Sequence, residues 1–476
     1  MQKAQKNLNN KVTQEMQSFL IRQDWLGINN IFYNTRTGLC ANNINDVIDF
    51  NSFELDPDGL INYLKFGYCV FGRTPVKDVY FLRQNEVLSK NSEGKFQIFE
   101  DEDPCLSYLS LVTSEVDAME KISSAVQLIA NNFKNSNICI PMSGGYDSRL
   151  INYFCSEHKH IQAFTYGISF KQSRSFEAVN AKAICEKLDV PWKLIELGKF
   201  HDYLPNWVSL YGISTHAHGM YQWEFYKKIK SRYGVMPVIS GIAGDAWAGS
   251  SNTSEPLVPD DLKNLGYSHG AFADETQCLL KPKEDLITEE FEKKRVLLKD
   301  ERYRVLYLVR TKMILLSYLL KVPSYLGFSA HTPFADIKVA MSMLTIEPSR
   351  WRNRLWQKEF LSKHNLDVER SNSPMLYQND LDYLGMLERP LEPLSINILS
   401  GVFRPKYLEW INSNVIATKW HLGFSHKVLS SGRIGAGLRL FGLKDTALVA
   451  YSAYMTIKPI EDLMLKVIEN NRTKYL

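Results

Sequence analysis

Two short stretches of the chain combine glycine, serine and aspartate directly after an apolar run. The first, residues 139–148, reads CIPMSGGYDS. Its two glycines leave backbone N–H groups open to a close anion, and its two serine hydroxyls add donors. A carboxylate repels an anion unless a cation lies between them, so Asp147 indicates a Mg²⁺ ion that is itself bound to phosphates. The residues of this loop that we predict to bind phosphate are Ser143, Gly144, Gly145 and Ser148.

The second stretch, residues 238–250, reads VISGIAGDAWAGS and repeats the same order of residue types. Asp245 follows an apolar run and a Ser-Gly pair, as Asp147 does in the first stretch. A second carboxylate at the end of another strand can bind the same metal from the opposite side. A glycine pair alone often marks only a tight turn, but two matched corners are hard to explain in that way.

The commoner nucleotide-binding motifs do not fit these stretches. The pattern G-x-x-x-x-G-K-[ST] requires a lysine inside the loop, and Tyr146, Asp147 and Ser148 do not supply one. The dinucleotide fingerprint G-x-G-x-x-G is absent as well. The two corners therefore predict a phosphate and metal site of another class.

Strands alternate with helices around both corners. The apolar runs that predict strands are NICIPM, IQAFTYG, WKLIEL and GVMPVIS, and helical periods follow in SRLINYFCSE and SFEAVNAKAICEKL. Such alternation implies right-handed crossovers and a parallel, doubly wound sheet. Ligands of these sheets bind beyond the carboxyl ends of the strands, where helix N-termini point into the crevice. Both corners follow strands and are predicted to lie at that edge.

The pattern predicts two domains in an α/β chain. Residues 1–110 contain the short runs GYCVF, DVYFL and KFQIF, separated by turn signals, which predict a small β-rich domain. Residues 111–476 are predicted to hold the doubly wound sheet and a mainly helical C-terminal half. Helical patterns in that half include ERYRVLYLVRTKMILLSYLL and KDTALVAYSAYMTI.

The composition narrows the functional class. A net charge of +4 on 476 residues, with no basic tract, argues against a nucleic-acid partner. The seven cysteines form no C-x-x-C pair, so neither a disulfide framework nor a zinc site is indicated. The N-terminus lacks the apolar core of a signal peptide, and the apolar segment 305–320 is interrupted by Arg310 and Lys312. We therefore expect a soluble, cytoplasmic protein without a membrane partner.

With both corners in view, the chain resembles the N-type ATP pyrophosphatases, most closely the asparagine synthetase and β-lactam synthetase group. SGGYDS resembles the pyrophosphate loop (PP-loop) of that family, and SGIAGD resembles its second metal and phosphate motif. AFTYG is similar to the strand that borders the adenine, and HTPFADIKVAMSM is similar to the PF-x-D segment. These ordered matches cover roughly residues 110–375.

The resemblance implies an adenine nucleotide α-hydrolase-like fold and a reaction that uses ATP and Mg²⁺. A substrate carboxylate attacks the α-phosphate of ATP, which gives an acyl-adenylate and pyrophosphate. Ammonia or an amine then displaces AMP and forms an amide. By position, Asp147 and Asp245 would hold the metal and take part in catalysis. The residues that would line the nucleotide are Tyr166, Ser240 and Gly241, and those that would hold pyrophosphate are Ser143, Gly145 and Ser148.

The N-terminal part departs from the glutamine-using members of this family. Those members begin, after loss of Met1, with a cysteine that releases ammonia from glutamine, whereas this chain has Gln2. The stretch that begins LDPDGLINYLKFGYCVF nevertheless resembles the latter half of their glutaminase domain. We therefore predict a degenerate glutaminase-like domain that cannot make ammonia.

Two further departures concern the chemistry. Ile242 stands where amide-forming members often carry a glutamate, so a base for the incoming amine must come from elsewhere. His216 and His218 are candidates for that base, and ordinary structural roles for both stay open. The family also has a lysine near the end of its helical region. Arg370 stands near that position as a candidate catalytic residue, since its guanidinium can hold phosphate.

These features predict an ATP-dependent ligase that forms AMP and pyrophosphate and joins a carboxylate to ammonia or an amine. The carboxylate would belong to a small molecule or a peptide. The nitrogen would come from free ammonia, from the substrate or from a separate partner protein. Two alternatives are an adenylating enzyme with a different acceptor and a catalytically inactive nucleotide-binding scaffold. The retained aspartates argue against the scaffold, because a carboxylate in an anion pocket is costly without a metal.

Overall fold

The computed structural model describes residues 19–251, 253–265, 271–368, 375–415 and 445–473. Its strands are β1 (Leu20–Arg22), β2 (Phe32–Asn34), β3 (Cys40–Ala41), β4 (Val79–Phe81), β5 (Glu86–Lys90), β6 (Phe96–Glu100), β7 (Ile138–Pro141), β8 (Ile161–Thr165), β9 (Trp192–Leu194), β10 (Pro237–Ile239) and β11 (Ser329–His331).

The α-helices fall into three groups along the chain. Those that precede β10 are α1 (Pro57–Phe66), α2 (Pro104–Leu109), α3 (Glu115–Asn132), α4 (Tyr146–Cys155), α5 (Phe176–Lys187), α6 (Leu204–Tyr211) and α7 (Tyr221–Tyr233). Those that follow the second corner are α8 (Gly244–Trp247), α9 (Leu262–Leu265), α10 (Leu286–Lys294), α11 (Glu301–Leu316), α12 (Tyr318–Tyr325), α13 (Ile337–Leu344), α14 (Pro348–Trp351) and α15 (Leu355–Lys363). The C-terminal group is α16 (Leu381–Glu388), α17 (Ile396–Leu399), α18 (Pro405–Val415) and α19 (Thr446–Thr473).

Five strands form one parallel sheet in the order β9-β8-β7-β10-β11. The chain runs outward from β7 to β9 and then returns to the other side of β7 with β10 and β11. This order confirms the predicted doubly wound α/β class. Cys139 of β7 lies opposite Val238 of β10, so the two strands that precede the glycine corners are neighbours. The strand order reverses between them, which is the position where such sheets bind ligands.

The sheet strands are apolar on both faces because helices cover both faces. Every residue of β10 is buried, and so are the first three residues of β7. α3 shows how the cover is built, since its buried residues recur every four positions along one stripe. The members of that stripe are Ala118, Ile122, Val126 and Ala130.

The N-terminal region is β-rich, as predicted, and contains two small antiparallel sheets, β1-β5-β6 and β3-β2-β4. Strands in DVYFL and KFQIF are confirmed as β4 and β6. The prediction of a strand in GYCVF is wrong. Tyr68 makes only an isolated bridge to Thr215, and Phe71 adopts a left-handed backbone conformation with φ of 58°.

The N-terminal region packs on the rest of the protein through buried contacts. The indole N–H of Trp25 donates to the carbonyl of Ala335 at 3.0 Å, and Arg310 donates to the carbonyl of Trp25 at 2.9 Å. Apolar side chains from both regions also belong to one continuous core. The domain boundary at residues 110 and 111 and the relation to a glutaminase stay predictions. None of the helices in the described ranges combines the length and apolarity needed to cross a bilayer.

Candidate active site

The first corner is an open helix N-terminus at the end of β7. Gly144 has φ of +73°, and a Cβ built there would lie 2.9 Å from Cβ of Asn180, so the backbone position suits only glycine. Gly145 is the N-cap of α4, and no side chain caps the helix there. The first N–H groups of a helix have no intrahelical acceptor, so this turn is suited to bind an anion.

The two serines of the loop hold its shape. The backbone N–H of Gly145 donates to Oγ of Ser143 at 3.3 Å, and Oγ of Ser148 donates to the carbonyl of Gly145 at 2.9 Å. The two hydroxyl oxygens lie 3.3 Å apart. Both hydroxyls therefore lie on the side of the loop where a phosphate would meet the N–H groups of the helix.

Arg149 supports the loop from behind. Its guanidinium donates to the carbonyl of Gly144 from Nε at 2.9 Å and from Nη2 at 2.8 Å, and from Nη1 to the carbonyl of Leu366 at 3.1 Å. The side chain is buried with a relative exposure of 1 %. An arginine with these backbone partners serves to fix the loop.

The second corner lies in direct contact with the first. Ala243 adopts a left-handed conformation with φ of 65°, and α8 begins immediately after it. A Cβ built at Gly244 would lie 2.8 Å from Cγ of Asp147, and one built at Gly241 would lie 3.1 Å from Cβ of Asp147. The glycines of the second corner thus let its backbone pass close to the carboxylate of the first.

The two predicted metal ligands have different surroundings. Asp147 is buried and accepts a hydrogen bond from Nε2 of Gln357 at 3.2 Å, whereas Asp245 is exposed. Burial raises the pKa of Asp147 to about 7, and the nearby Asp245 carboxylate adds to the rise. Two neighbouring carboxylates offer oxygen ligands and negative charge, which fit a hard divalent cation such as Mg²⁺.

The protein alone does not complete such a coordination shell. In the described ranges, His, Cys, Asp and Glu side chains form no group of three or more suited to hold a metal ion. Mg²⁺ prefers six oxygen ligands and commonly takes several of them from water and from substrate phosphates. The pair Asp147 and Asp245 fits a metal of that kind.

A cavity of about 570 Å³ opens between the two corners and extends to α11 and α12. The sequence-predicted residues that line it are Ser143, Gly145, Asp147, Ser148, Tyr166, Ser240, Gly241 and Asp245. Gly144 is not in its lining, since that residue packs behind the loop against Asn180. Arg370 lies outside the described residues. The structure thus brings together the residues predicted from the two corners.

Residues 132–363, which carry both corners and the PF-x-D segment, match the family model for asparagine synthase. These residues form a domain of the asparagine synthase type. The match supports an ATP-dependent carbon–nitrogen ligase of the asparagine synthase kind, whose members generally use Mg²⁺. A search of curated proteins found no match to the chain.

Two basic side chains of this asparagine synthase-type domain line the cavity without having been predicted. Lys312 of α11 is buried with a relative exposure of 9 %, and Arg354 stacks over the Tyr146 ring with its guanidinium carbon 4.6 Å from the centroid. Burial lowers the pKa of Lys312 to about 8, while attraction to Asp245 opposes that fall. Both cations lie where phosphate charge would have to be neutralised.

The part of the cavity around Tyr166 is aromatic. Tyr166 follows β8, and its hydroxyl accepts a hydrogen bond from Nε2 of Gln222 at 3.2 Å. Its ring contacts Tyr221 and Phe225 at centroid distances of 5.7 Å and 5.2 Å. This aromatic cluster lies at the carboxyl edge of the sheet, in the same cavity as the first corner, and its faces suit the flat face of a base.

The histidines proposed as bases do not line the cavity. Nε2 of His218 lies 2.9 Å from Oδ1 of Asp382, and Nδ1 of His216 accepts the backbone N–H of His218 at 3.2 Å. Ile242 does line it and is buried. Besides Asp147 and Asp245, one further carboxylate among the described residues lines the cavity, that of Glu177, and the sequence analysis did not predict it. Glu177 accepts a hydrogen bond from Ser175.

Proposed function

We propose that the protein is an ATP-dependent ligase that adenylates a substrate carboxylate, releases pyrophosphate and passes the acyl group to ammonia or an amine. The observation that carries this proposal is the contact between the two corners, where Gly244 approaches Asp147 so closely that no side chain fits between them. This contact supports a shared phosphate and metal site in which both aspartates act on one nucleotide.

The first step needs charge compensation on the leaving pyrophosphate. The N–H groups at the start of α4 and the hydroxyls of Ser143 and Ser148 would donate to its oxygens. Lys312 of α11 and Arg354, which stacks on Tyr146, would add positive charge from the cavity lining. These donors are held in place before the reaction, so they stabilise developing charge with little reorganisation.

Asp147 and Asp245 would hold Mg²⁺ in this proposal. The ion, when bound, supplies charge neutralisation between the two carboxylates and the phosphates. Asp147 provides the fixed oxygen, because Gln357 donates to it and the backbone of the second corner covers it. Asp245 is exposed and can adjust to the position of the phosphates.

The nitrogen donor is proposed to be ammonia or an amine that enters the cavity as such. Ile242, which lines the cavity, cannot accept a proton from it. Free ammonia, an amine on the substrate, or ammonia from a partner protein are the sources that fit. An amine that arrives uncharged needs one proton removed as the amide forms, and bulk water or Glu177 can take it.

The test measures the pyrophosphate and AMP that the protein forms from ATP in the presence of Mg²⁺. Size fractions of a small-molecule extract of the source cells supply the carboxylate substrate. Asp147→Asn and Asp245→Asn are expected to abolish both products. Asp285→Asn is the matched control, since Asp285 is an exposed N-cap of α10 outside the cavity lining and asparagine caps a helix equally well.

Two outcomes would count against the proposal. ADP and phosphate in place of AMP and pyrophosphate would exclude adenylation. Tight Mg²⁺-dependent ATP binding without products in any fraction, also after ammonium and the other cell proteins are added, would favour the nucleotide-binding scaffold.

A further inference from the structure

One wall of the cavity is a helical stripe of α11 and α12. Leu308, Lys312, Leu316 and Leu319 all line the cavity. Their spacing of four, four and three positions puts them on one face along α11 and the start of α12. A single cation therefore stands on this wall between leucines, with leucine on either side of it along the helix axis.

The chemistry of this wall is apolar apart from that cation and one phenol. Of the lining residues in α11 and α12, none is acidic, and the remaining members besides the stripe are Val309 and Tyr318. The hydroxyl of Tyr318 is already hydrogen-bonded to Tyr221 at 2.7 Å. Ile242 adds a further apolar side chain from the second corner.

Charged groups of a substrate would find few partners on this wall. An amino acid such as aspartate brings an ammonium and a second carboxylate beside the reacting carboxyl, and each is costly to bury without an opposite charge. Among the described residues that line the cavity, the basic ones are Lys312, which is attracted to Asp245, and Arg354, which stacks on Tyr146. The remaining lining carboxylate, Glu177, already accepts a hydrogen bond from Ser175.

We propose that the carboxylate substrate has an aliphatic or aryl body of several carbons, with no charged group next to the reacting carboxyl, and that this body packs on Leu308, Leu316 and Leu319. Lys312 then marks the reacting end, where the carboxylate and the phosphates meet. This inference rests on the proposed adenylation. It differs from that proposal in naming what lies beyond the carboxyl carbon.

The test uses stable mimics of acyl-adenylates, the 5′-O-(N-acylsulfamoyl)adenosines, with octanoyl, phenylacetyl, acetyl and β-aspartyl groups. Binding is measured by calorimetry with Mg²⁺ and pyrophosphate present, so no turnover is required. The octanoyl or phenylacetyl compound is expected to bind at least about 10-fold more tightly than the acetyl and β-aspartyl compounds, as apolar packing in a pocket allows.

A matched pair of variants ties the preference to the wall. Leu319→Gln introduces a polar side chain into the cavity, whereas Leu320→Gln changes the adjacent residue of α12, which is also half-buried but is not in the lining. Leu319→Gln is expected to weaken the octanoyl compound about 10-fold and to leave the acetyl compound unchanged. Leu320→Gln is expected to change neither, and thermal unfolding of both variants checks that they fold.

The outcomes separate the two proposals. Tighter or equal binding of the β-aspartyl compound would overturn the apolar body and leave adenylation standing. Equal binding of all four compounds, matched by sulfamoyladenosine alone, would do the same. If none of the compounds bound, the cavity would not be a nucleotide site. The proposed function would then fail together with this inference.

Discussion

Two corners with nearly the same residue types hold their aspartates in opposite ways. Asp147 is covered by the backbone of the second corner and hydrogen-bonded by Gln357, whereas Asp245 is exposed at the start of the short helix α8. The side chain of Ser250 lies 3.4 Å from Oδ2 of Asp245 as a donor. The motif alone therefore does not decide how rigid a ligand is, because the packing around each carboxylate decides it.

The largest expected effect comes from breaking the contact between the corners. Gly244→Ala would put a Cβ 2.8 Å from Cγ of Asp147, so one of the two corners must move. A displacement of about 1 Å between reacting groups costs about 100-fold in rate, and we expect at least that loss in pyrophosphate formation. The rate of pyrophosphate release under saturating ATP and Mg²⁺ measures it.

Gly401→Ala is the control for that variant. A Cβ at Gly401 meets nothing within 4 Å, and its φ lies outside the left-handed region. This variant is expected to keep wild-type activity. A Gly244→Ala protein that folds and retains full activity would show that the two corners need not touch.

The sequence was sufficient to predict this contact in outline. Each corner follows an apolar strand, and strand–helix alternation predicted one parallel sheet, so both aspartates had to reach the same edge. The difference in burial between Asp147 and Asp245 was not predictable, because it depends on Gln357 of α15 and on the left-handed turn at Ala243. Neither feature follows from local periodicity.

The second prediction concerns the ammonium group of Lys312, which is attracted to the exposed Asp245. Lys312→Met keeps a long apolar stem and removes the ammonium that Asp245 attracts. We expect kcat to fall about 100-fold with a smaller change in KM for ATP, since a cation that stabilises developing charge acts in the transition state. Steady-state kinetics of pyrophosphate release at several ATP concentrations separates the two parameters.

Lys358→Met is the matched control, since Lys358 is exposed on α15 and is not in the cavity lining. Equal losses in both lysine variants would indicate a general effect of charge and would contradict a specific role for Lys312. If Arg370→Gln lost most of its activity while Lys312→Met kept a normal kcat, the cation that stabilises the phosphates would be Arg370, as the sequence predicted.

Lys312 shows why some site residues escape sequence reasoning. In the sequence it interrupts an apolar helical run, and such a lysine is commonly a surface residue that breaks a membrane-like segment. Only the tertiary packing of α11 on α8 turns it toward Asp245. Arg354 was hidden for another reason, because its left-handed φ of 57° lies at a kink between helices that no periodicity indicates.

The smallest expected effects come from the partners of the two aspartates. Gln357→Met removes the amide that donates to Asp147, and Ser250→Ala removes the hydroxyl that donates to Asp245. Groups that orient a metal ligand typically change metal affinity 10- to 100-fold, and a buried ligand depends on them more than an exposed one. We therefore expect Gln357→Met to raise the Mg²⁺ concentration needed for half-maximal activity about 10-fold and Ser250→Ala to change it less than about twofold.

The measurement is a Mg²⁺ titration of pyrophosphate release at saturating ATP, together with kcat at saturating Mg²⁺. Because Asp147 keeps its position through the backbone of the second corner, kcat of Gln357→Met is expected to recover when Mg²⁺ is saturating. A loss of kcat that excess Mg²⁺ does not restore would mean that Gln357 supports the fold of the loop and does not orient the carboxylate. If both variants raised the required Mg²⁺ concentration equally, the burial of Asp147 would have no effect on how strongly it depends on its hydrogen-bond partner. The two corners would then differ in packing but not in metal binding.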